Sequence, residues 1–395
     1  MQKVGLIRFR SAMAASVPSL KSEEQEFLRS IDPEKEFLFT KPKPEYPTFF
    51  FIQTGGSEIY FKDLYENYPE PYFLLVAGTR NSLAAALEIL SFLHRQNKKG
   101  YILQGTPSEI NRSLHLYTKL WNVNQKLHSS RLGVIGRPSD WLIASDVDKK
   151  ELRKRWGVEL ISIPNKEFLE KVDKRLLSES GLYKKFLPKT SRKEDLRQSL
   201  YVHGALKSLC EFYKLDGFTL RCFDLVTKKQ QTSCLAFGLL NDEGITSTCE
   251  GDVPSLLTMY LCKLLLNQPS FMANPARIDF ASNEAIYAHC TCPFSMTSSY
   301  ALDTHFESGL GFGIKGEMIE GGITAVKISP DLKNIRVMTG RIKENLSEPN
   351  LCRTQIHVRF DDPVSPLIED PYGNHMIFIY GNHREELLRL FEFVS

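Results

Sequence analysis

Two carboxylates stand close together near the middle of the chain, at the start of a long apolar stretch. Glu250 and Asp252 follow the β-prone residues Ile245–Thr248, and the apolar run Val253–Leu266 comes directly after them. Aspartate is a preferred helix N-cap, so this run is predicted to be a helix that begins after Asp252. A strand that leads into a helix through acids places them at the carboxyl edge of a parallel sheet, where α/β proteins bind ligands. The segment indicates a ligand site; the alternative is a capping Asp252 beside a solvated Glu250.

A further acid stands at the end of another predicted strand. Residues Phe218–Phe223 are β-prone and lead into Asp224. The carboxyl ends of neighbouring parallel strands lie at one edge of a sheet. We therefore expect Asp224 and Glu250 to face each other across adjacent strand tips.

Histidines occur in three segments that border predicted strands. His289 ends one strand-like run, His375 precedes another, and His305 lies shortly before Glu307. A lone histidine is more often a hydrogen-bonded structural residue than a ligand. Several of them beside a pair of acids indicate a metal site, because a mixed carboxylate and imidazole shell suits Mn²⁺, Fe²⁺ or Co²⁺.

Other chemistries have less support in the sequence. His289 is followed by Cys290 and Cys292, but the Cys-x-x-Cys pairs typical of structural zinc sites are absent. Cys290 has a histidine neighbour and no further motif of a catalytic nucleophile. The alternating glycines of residues 309–313 neither follow a strand nor open a helix, as a dinucleotide-binding loop does. The chain also has no P-loop signature.

The composition is that of an ordinary globular protein. Of 395 residues, 42% are hydrophobic and 25% are charged, and the formal net charge is +3. This length predicts two or three domains at roughly 150 residues each. The small net charge gives no indication of binding to nucleic acid or to an anionic membrane, so we expect neither as a partner.

Three features of the sequence indicate the cellular compartment of the protein. No apolar run reaches the about 18 residues needed to span a bilayer. Residues Met1–Arg10 carry charges within their apolar part, unlike a signal peptide. All 8 cysteines lie in the second half of the chain, without the spacing of a disulfide framework. We therefore expect reduced thiols and a cytoplasmic protein.

The order of predicted elements indicates an α/β protein with a C-terminal β-domain. Up to about residue 128, strand-like runs alternate with helical ones, which predicts a mostly parallel sheet. A second unit of the same kind follows and carries the acids. Later, glycines cluster and short alternating runs recur, which predicts a small antiparallel, barrel-like domain. The predicted domains are 1–128, 129–293 and 294–395.

Three motifs carry a resemblance to a known family. They are Cys249-Glu250-Gly251-Asp252 before an apolar helix, then Ala288-His289-Cys290, and finally Gly373-Asn374-His375 near the C-terminus. Together they resemble the L-fucose/L-arabinose isomerase family, and in particular its shorter fucose-isomerase-like members. The acid motif is the most specific of the three. Supporting segments extend the likeness over most of the chain, at Thr54–Glu58, at Asn81–Glu88 and at Gly133–Gly136 followed by Trp141.

The resemblance implies two α/β domains, a C-terminal β-domain and a site that holds Mn²⁺ or another divalent cation. Matched by motif, the metal ligands are Glu250, Asp224, His289 and His375. The two acids of this set are implied as the catalytic pair. The residues expected to bind substrate are Asp252, His305 and Glu307.

The function that follows from the resemblance is metal-dependent aldose–ketose isomerisation of a sugar through an enediol. Two alternatives are a non-catalytic sugar-binding homologue and a metal-assisted lyase or epimerase acting on a related sugar. The resemblance also implies a homo-oligomer, a trimer or hexamer. The loops around Gly55 and Asn81 are the expected contacts between subunits.

Overall fold

The structure is a computed structural model that describes residues 1–14, 16–177 and 180–395. By its internal contacts it divides into two compact units, Met1–Gln125 and Lys126–Ser395. The point of division lies within one long helix, Pro107–His128. Each unit has its own sheets, which are described in turn.

The first unit is built on a parallel sheet. Its strands are β1 Gln2–Phe9, β2 Phe37–Thr40, β3 Thr48–Ile52, β4 Tyr72–Val76 and β5 Gly100–Leu103, and its helices are α1 Leu20–Ile31, α2 Glu58–Leu64, α3 Ser82–Arg95 and α4 Pro107–His128. The strand order is β2-β1-β3-β4-β5, with every pairing parallel. The central strands β3 and β4 read Thr-Phe-Phe-Phe-Ile and Tyr-Phe-Leu-Leu-Val and are almost wholly buried. Continuous apolar runs of this kind form strands that are covered on both faces.

The second unit begins with another parallel sheet in the order β7-β6-β8-β9. Its strands are β6 Arg131–Ile135, β7 Glu159–Ile163, β8 Gly217–Leu220 and β9 Thr246–Thr248. The helices of this unit are α5 Lys149–Trp156, α6 Asn165–Asp173, α7 Ser180–Phe186, α8 Lys193–Tyr213, α9 Phe223–Lys229, α10 Cys234–Asp242, α11 Val253–Leu266, α12 Pro366–Glu369 and α13 Arg384–Val394. Helices α8, α10 and α11 are the most apolar and supply much of the buried core beside the sheet.

A closed antiparallel barrel completes the second unit. Its strands, in order around the barrel, are β10 Phe271–Asp279, β11 Glu284–His289, β16 Thr354–Phe360, β15 Ile335–Asn345, β14 Gly321–Ile328 and β17 Met376–Tyr380. The hairpin β12 Thr297–Asp303 and β13 Gly313–Met318 forms a separate small sheet. Alternate barrel residues such as Tyr287, Ile356 and Phe378 are buried in the barrel core.

The predicted fold class is confirmed, because parallel-sheet α/β units precede a closed antiparallel barrel. The first barrel strand begins at Phe271, ahead of the change in sequence texture at residue 294. The division into 1–128, 129–293 and 294–395 stays a prediction. All eight cysteines lie in the described ranges, and none forms a disulfide. No helix in those ranges is long and apolar enough to cross a membrane.

Candidate metal centre

The two acids of the central motif lie in a tight turn between β9 and α11. Glu250 and Gly251 are both in the left-handed region, with φ of 64° and 76°. Such a conformation is costly for a residue other than glycine, and side chains held in this way occur preferentially at functional sites. The turn is fixed by two backbone hydrogen bonds. The N–H of Ser139 donates to the Glu250 carbonyl at 2.8 Å, and that of Gly251 donates to the Leu220 carbonyl at 3.0 Å.

The Glu250 carboxylate is buried and held by an indole. Trp141 Nε1–H donates to Glu250 Oε2 at 2.8 Å, and Glu250 Oε1 lies 3.5 Å from His375 Nε2. Burial raises the pKa of Glu250, but the neighbouring His375, the indole N–H and the more distant His289 outweigh it. The pKa of Glu250 is lowered to about 2. The side chain is therefore a carboxylate at neutral pH.

His289 is the last residue of β11 and presents a neutral imidazole. Its Nδ1 lies 2.8 Å from Thr291 Oγ1, and its Nε2 lies 3.6 Å from Cys249 Sγ. Burial and the adjacent His375 lower the pKa of His289 to about 3. A neutral ring with one nitrogen held by a hydroxyl and the other beside a thiol can offer a lone pair to a metal.

His375 immediately precedes β17 and is buried between the two acids of the turn. Its Nδ1 lies 2.8 Å from Asp252 Oδ2. Its Nε2 is buried and has no hydrogen-bond partner among the described residues, although Glu250 is near. Burial lowers the pKa of His375, but hydrogen bonding and the charges of Asp252 and Glu250 raise it overall. The environment of Nε2 thus favours a positive charge, which a proton or a metal ion can supply.

Asp252 lies behind His375 and anchors it. The predicted N-cap is confirmed, because Asp252 Oδ1 accepts from the Ser255 backbone N–H at 2.7 Å. Asp252 Oδ2 accepts from the Ser255 hydroxyl at 2.8 Å, and the buried Lys327 ammonium lies 3.3 Å from the same oxygen. Burial raises the pKa of Asp252, but Lys327 and His375 lower it overall. The side chain of Asp252 is fully buried and contacts protein groups, and its expected contact with substrate stays a prediction.

These side chains form a group that fits a metal ion. Glu250, His289 and His375 each offer a ligand atom, and these atoms all lie within 4.8 Å of one another. Ligands at about 2.0–2.3 Å from one cation stand about 3–4.5 Å apart, so small side-chain movements bring all three to a common centre. The buried, unpartnered Nε2 of His375 is the atom that such an ion would satisfy. Asp252 and Thr291 contact the opposite nitrogens of the two rings, and such contacts orient metal-binding histidines.

Asp224 is not brought into this group. The predicted strand through Phe223 ends at Leu220, and Asp224 lies in the first turn of α9. Its carboxylate forms ion pairs with Arg221 at 3.0 Å and with Lys228 at 3.1 Å. Burial raises the pKa of Asp224, but these cations lower it overall. The expected meeting of Asp224 and Glu250 at adjacent strand tips is therefore not observed.

His305 and Glu307 lie in the loop between β12 and β13, where the charge of Glu250 affects the pKa of both side chains. His305 packs its ring against Phe223 with centroids 5.8 Å apart, and Phe223 in turn meets Trp141 at 4.7 Å. Burial and the charge of Glu250 raise the pKa of Glu307. Burial lowers the pKa of His305, which keeps its ring neutral. The loop thus supplies a neutral imidazole that packs on Phe223 and a carboxyl group of raised pKa.

Lys327 and Thr291 could not be singled out from the sequence, and Trp141 was noted only within the family resemblance. Lys327 lies near the end of the apolar strand β14, Trp141 lies in a loop, and Thr291 follows a Cys. Lys327 acts through Asp252 and Trp141 acts on Glu250 from distant parts of the chain, whereas Thr291 contacts His289 from two residues away. The one available signal was the lysine within β14, where a charge interrupts a buried run.

Two known sugar isomerases are similar to this chain over most of its length. No protein-family model matches the chain. The chain is 26% identical over 314 residues to a sulfoquinovose isomerase of Clostridium sp. (strain MSTE9), a match that covers 72% of this chain and 68% of that protein. It is 19% identical over 316 residues to a sulfoquinovose isomerase of Alkalicoccus urumqiensis, covering 75% of this chain and 71% of that protein.

The chain is similar to sugar isomerases. This similarity supports the predicted resemblance at the level of the broad class, while the narrower fucose/arabinose branch stays a prediction. The matches also extend over most of the chain, well beyond the acid motif alone.

Proposed function

We propose that this protein is a metal-dependent aldose–ketose isomerase that acts on a sugar through an enediol. The observation that carries the proposal is the convergence of ligand atoms of Glu250, His289 and His375 within 4.8 Å. They come from a sheet-edge turn, from the end of β11 and from the residue before β17. The similarity to two proteins named sulfoquinovose isomerase supports the same class of reaction. The identity of the sugar is left to experiment.

Glu250, His289 and His375 are the residues we assign to the cation. Two imidazoles and one carboxylate suit Mn²⁺, Fe²⁺ or Co²⁺, and they leave positions open for a substrate that binds through two oxygens. A bound cation would polarise the sugar carbonyl and stabilise the negative charge that develops on the substrate oxygens. Asp252 holds the His375 ring by its Nδ1, so that Nε2 faces Glu250 and the centre.

Glu250 is the first group that we assign to proton transfer. It is ionised at neutral pH, and Trp141 fixes one of its oxygens while the other faces the centre. Aldose–ketose isomerisation requires a group that takes a proton from one carbon and a group that returns it to the neighbouring carbon. General acid–base catalysis of this kind contributes about 10²–10⁴-fold to the rate.

Two acids are candidates for the second group. Asp224 is the acid implied by the resemblance, and it would have to leave Arg221 and Lys228 to take part. Glu307 has its pKa raised by burial and by the charge of Glu250, which suits a group that carries a proton to the substrate. We favour Glu307, with Asp224 holding Arg221 in place.

Substitution of single acids tests this assignment. Isomerisation is measured on a panel of aldoses with added Mn²⁺, including sulfoquinovose, L-fucose and L-arabinose. Glu250→Gln is expected to abolish turnover while circular dichroism shows an unchanged fold. Glu307→Gln is expected to reduce kcat more than Asp224→Asn, because of these two acids Glu307 is the one that transfers a proton in this scheme.

The exposed Glu320 provides the matched control for these variants. It lies between β13 and β14, and Glu320→Gln is expected to leave turnover unchanged. Unaltered turnover in Glu250→Gln would remove this carboxylate from the reaction. A wild-type protein that binds sugars of the panel and isomerises none of them would instead favour the non-catalytic, sugar-binding alternative.

A further inference from the structure

Arg221 joins the ends of two neighbouring strands of the second parallel sheet. It directly follows β8, and its backbone N–H donates at 3.0 Å to the carbonyl of Ile135, the last residue of β6. The strands β6 and β8 pair in parallel, so both lead into their loops at the same edge of the sheet. The chain continues from β6 into residues 137–141, which we call the Trp141 loop. The side chain of Arg221 is only 15% exposed.

The guanidinium of Arg221 contacts the Trp141 loop through three hydrogen bonds. Its Nη1 donates to the Pro138 carbonyl at 2.8 Å and to Asp140 Oδ1 at 3.2 Å, and its Nη2 donates to Asp140 Oδ2 at 2.6 Å. A planar guanidinium that contacts both oxygens of a carboxylate fixes the orientation of the pair as well as its distance. Arg221 therefore restrains both the backbone and a side chain of the loop.

Asp224 contacts another edge of the same guanidinium. Its Oδ1 accepts from Arg221 Nε at 3.0 Å. A guanidinium has five N–H donors in all, and four hydrogen bonds to Asp224, Pro138 and Asp140 use most of those of Arg221. An arginine that binds an anionic substrate group needs donors left over for it. The contacts of Arg221 are instead those of a residue that holds protein groups in place.

The Trp141 loop carries the indole that contacts Glu250. Trp141 Nε1–H donates to Glu250 Oε2 at 2.8 Å, and the indole ring meets Phe223 edge-on with centroids 4.7 Å apart. Trp141 itself is 52% exposed. Because about half of this residue faces solvent, packing restrains the indole only in part. Its place over the carboxylate depends on the backbone that carries it.

The contacts of Arg221 differ from those of an ordinary surface ion pair. A single exposed pair contributes little, because water screens it and both side chains lose freedom when they meet. Arg221 is mostly buried, is bidentate to Asp140 and is shared with Asp224. Asp140 is 62% exposed and can be hydrated when its partner is removed. Loss of the guanidinium is therefore expected to release the loop without unfolding the protein.

We propose that Arg221 is a positioning residue of the metal centre, which fixes the Trp141 loop to the end of β8 and so places the indole on Glu250. Asp224 belongs to the same chain of contacts, because it holds Nε of Arg221. The effect on the loop depends on the fold alone. The effect on catalysis rests on the isomerase function proposed above.

The first test measures the motion of Trp141 in the metal-free protein by time-resolved fluorescence anisotropy. The chain has three tryptophans, so the signal of Trp141 is obtained by subtracting that of the matching Trp141→Phe protein. Arg221→Met keeps an aliphatic side chain and removes every donor, and it is expected to add a fast component to the decay. Arg197→Met, at a 52% exposed arginine of α8, is the control and is expected to leave the decay unchanged.

A second variant removes the same contact from the side of the loop. Asp140→Ala replaces an exposed carboxylate and leaves Arg221 in place, so it is not expected to affect folding. It is expected to add the same fast component to the anisotropy decay of Trp141. The two variants together separate release of the loop from any local damage at the end of β8.

The third test is a double-mutant cycle on kcat/KM for isomerisation. Arg221→Met and Trp141→Phe are each expected to lower kcat/KM roughly tenfold, the effect of one lost hydrogen bond to a charged group. Because Arg221 acts through the indole in this account, the double variant is expected to lose no more than the weaker single variant. Independent roles would multiply to a loss of roughly a hundredfold.

Two results would overturn the proposal. One is an anisotropy decay of Trp141 that neither Arg221→Met nor Asp140→Ala alters, and the other is a pair of effects on kcat/KM that multiply in the double variant. A wild-type protein that isomerises no sugar would contradict the proposed function instead. The anisotropy of the metal-free protein would then still decide whether Arg221 fixes the loop.

Discussion

The hydrogen bond from Trp141 to Glu250 joins an exposed loop residue to a buried carboxylate. Trp141 is 52% exposed, so its indole contributes little to the core, yet its N–H fixes one oxygen of Glu250 at 2.8 Å. Trp141→Phe keeps an aromatic ring against Phe223 and removes the donor. Hydrogen bonds to charged groups contribute about 1.5–3 kcal/mol. We expect kcat/KM for isomerisation to fall roughly tenfold or more, with little change in the melting temperature.

The same loop supplies the control for this prediction. Ile143 is 95% exposed, and Ile143→Ala is expected to leave both kcat/KM and stability unchanged. Equal activity of Trp141→Phe and the wild type would show that the indole N–H does not position Glu250.

At the level of single residues, the sequence indicated the candidate metal ligands better than the groups that position them. Glu250, His289 and His375 belong to motifs that resemble a known family, and the structure brings them together. Lys327 reaches the centre only through the fold of the barrel, and Thr291 lies beside His289 in a segment that no motif marks. Asp224 was expected beside Glu250 at a strand tip. It lies instead in the first turn of α9, because β8 ends at Leu220, and its carboxylate pairs with Arg221.

The turn between β9 and α11 is the element on which the centre depends. At Gly251, φ is 76°, and a Cβ there would meet the Arg137 carbonyl oxygen and lie 2.7 Å from Pro138 Cα. Both neighbours are backbone atoms, so the turn itself would have to shift. We expect Gly251→Ala to lower the affinity for Mn²⁺ sharply, as measured by titration calorimetry.

Gly244 allows backbone strain to be separated from the steric clash. Its φ is 84°, and the nearest atom to an added Cβ is the flexible end of Lys263, at 3.4 Å. Gly244→Ala therefore carries only the cost of the left-handed conformation, about 1–2 kcal/mol, and should retain metal binding. If both variants bound Mn²⁺ like the wild type, the close approach at Gly251 would not matter to the centre.

Truncation of a buried side chain tests how much the barrel core contributes to the stability of the protein. Phe378 of β17 is fully buried, with its ring centroid 4.7 Å from that of Tyr287 and 6.4 Å from that of Phe271. Phe378→Ala should destabilise the protein by about 3–5 kcal/mol, because it leaves a cavity in a packed core. Phe280, between β10 and β11, is 58% exposed, and Phe280→Ala should shift stability by less than about 0.5 kcal/mol. Urea unfolding followed by fluorescence distinguishes the two, and equal midpoints would contradict the described core.

Predicted elements were closest to the structure where the sequence pattern was long and continuous. The strands β3 and β4 and the helix α4 lie in the stretch that was predicted to alternate between strands and helices, because apolar runs and a long helical period determine them. The first two barrel strands, β10 and β11, were assigned to the preceding α/β unit. They lack the glycine clusters that mark the rest of the barrel, and their barrel partners β16 and β17 lie far along the chain.

For the whole molecule, the resemblance predicts a trimer or hexamer, and exposed apolar side chains of the first unit supply a surface for it. Leu87 of α3 and Ile59 of α2 are each 55% exposed. Sedimentation velocity should show an assembly larger than a monomer. Leu87→Glu should shift it toward smaller species, whereas Leu388→Glu, at a 42% exposed position of α13, should not. A wild-type protein that is monomeric and fully active would contradict this prediction.

The most direct test of the proposed metal centre is the metal content of the intact protein. Protein equilibrated with Mn²⁺ and freed of excess ion by gel filtration is analysed by mass spectrometry of its metals. We predict one ion per chain for the wild type and for His94→Ala, an exposed histidine of α3. Glu250→Gln, His289→Ala and His375→Ala should each lose the ion while keeping their fold. Full metal content in those three folded variants would contradict the shared centre and, with it, the isomerase mechanism proposed here.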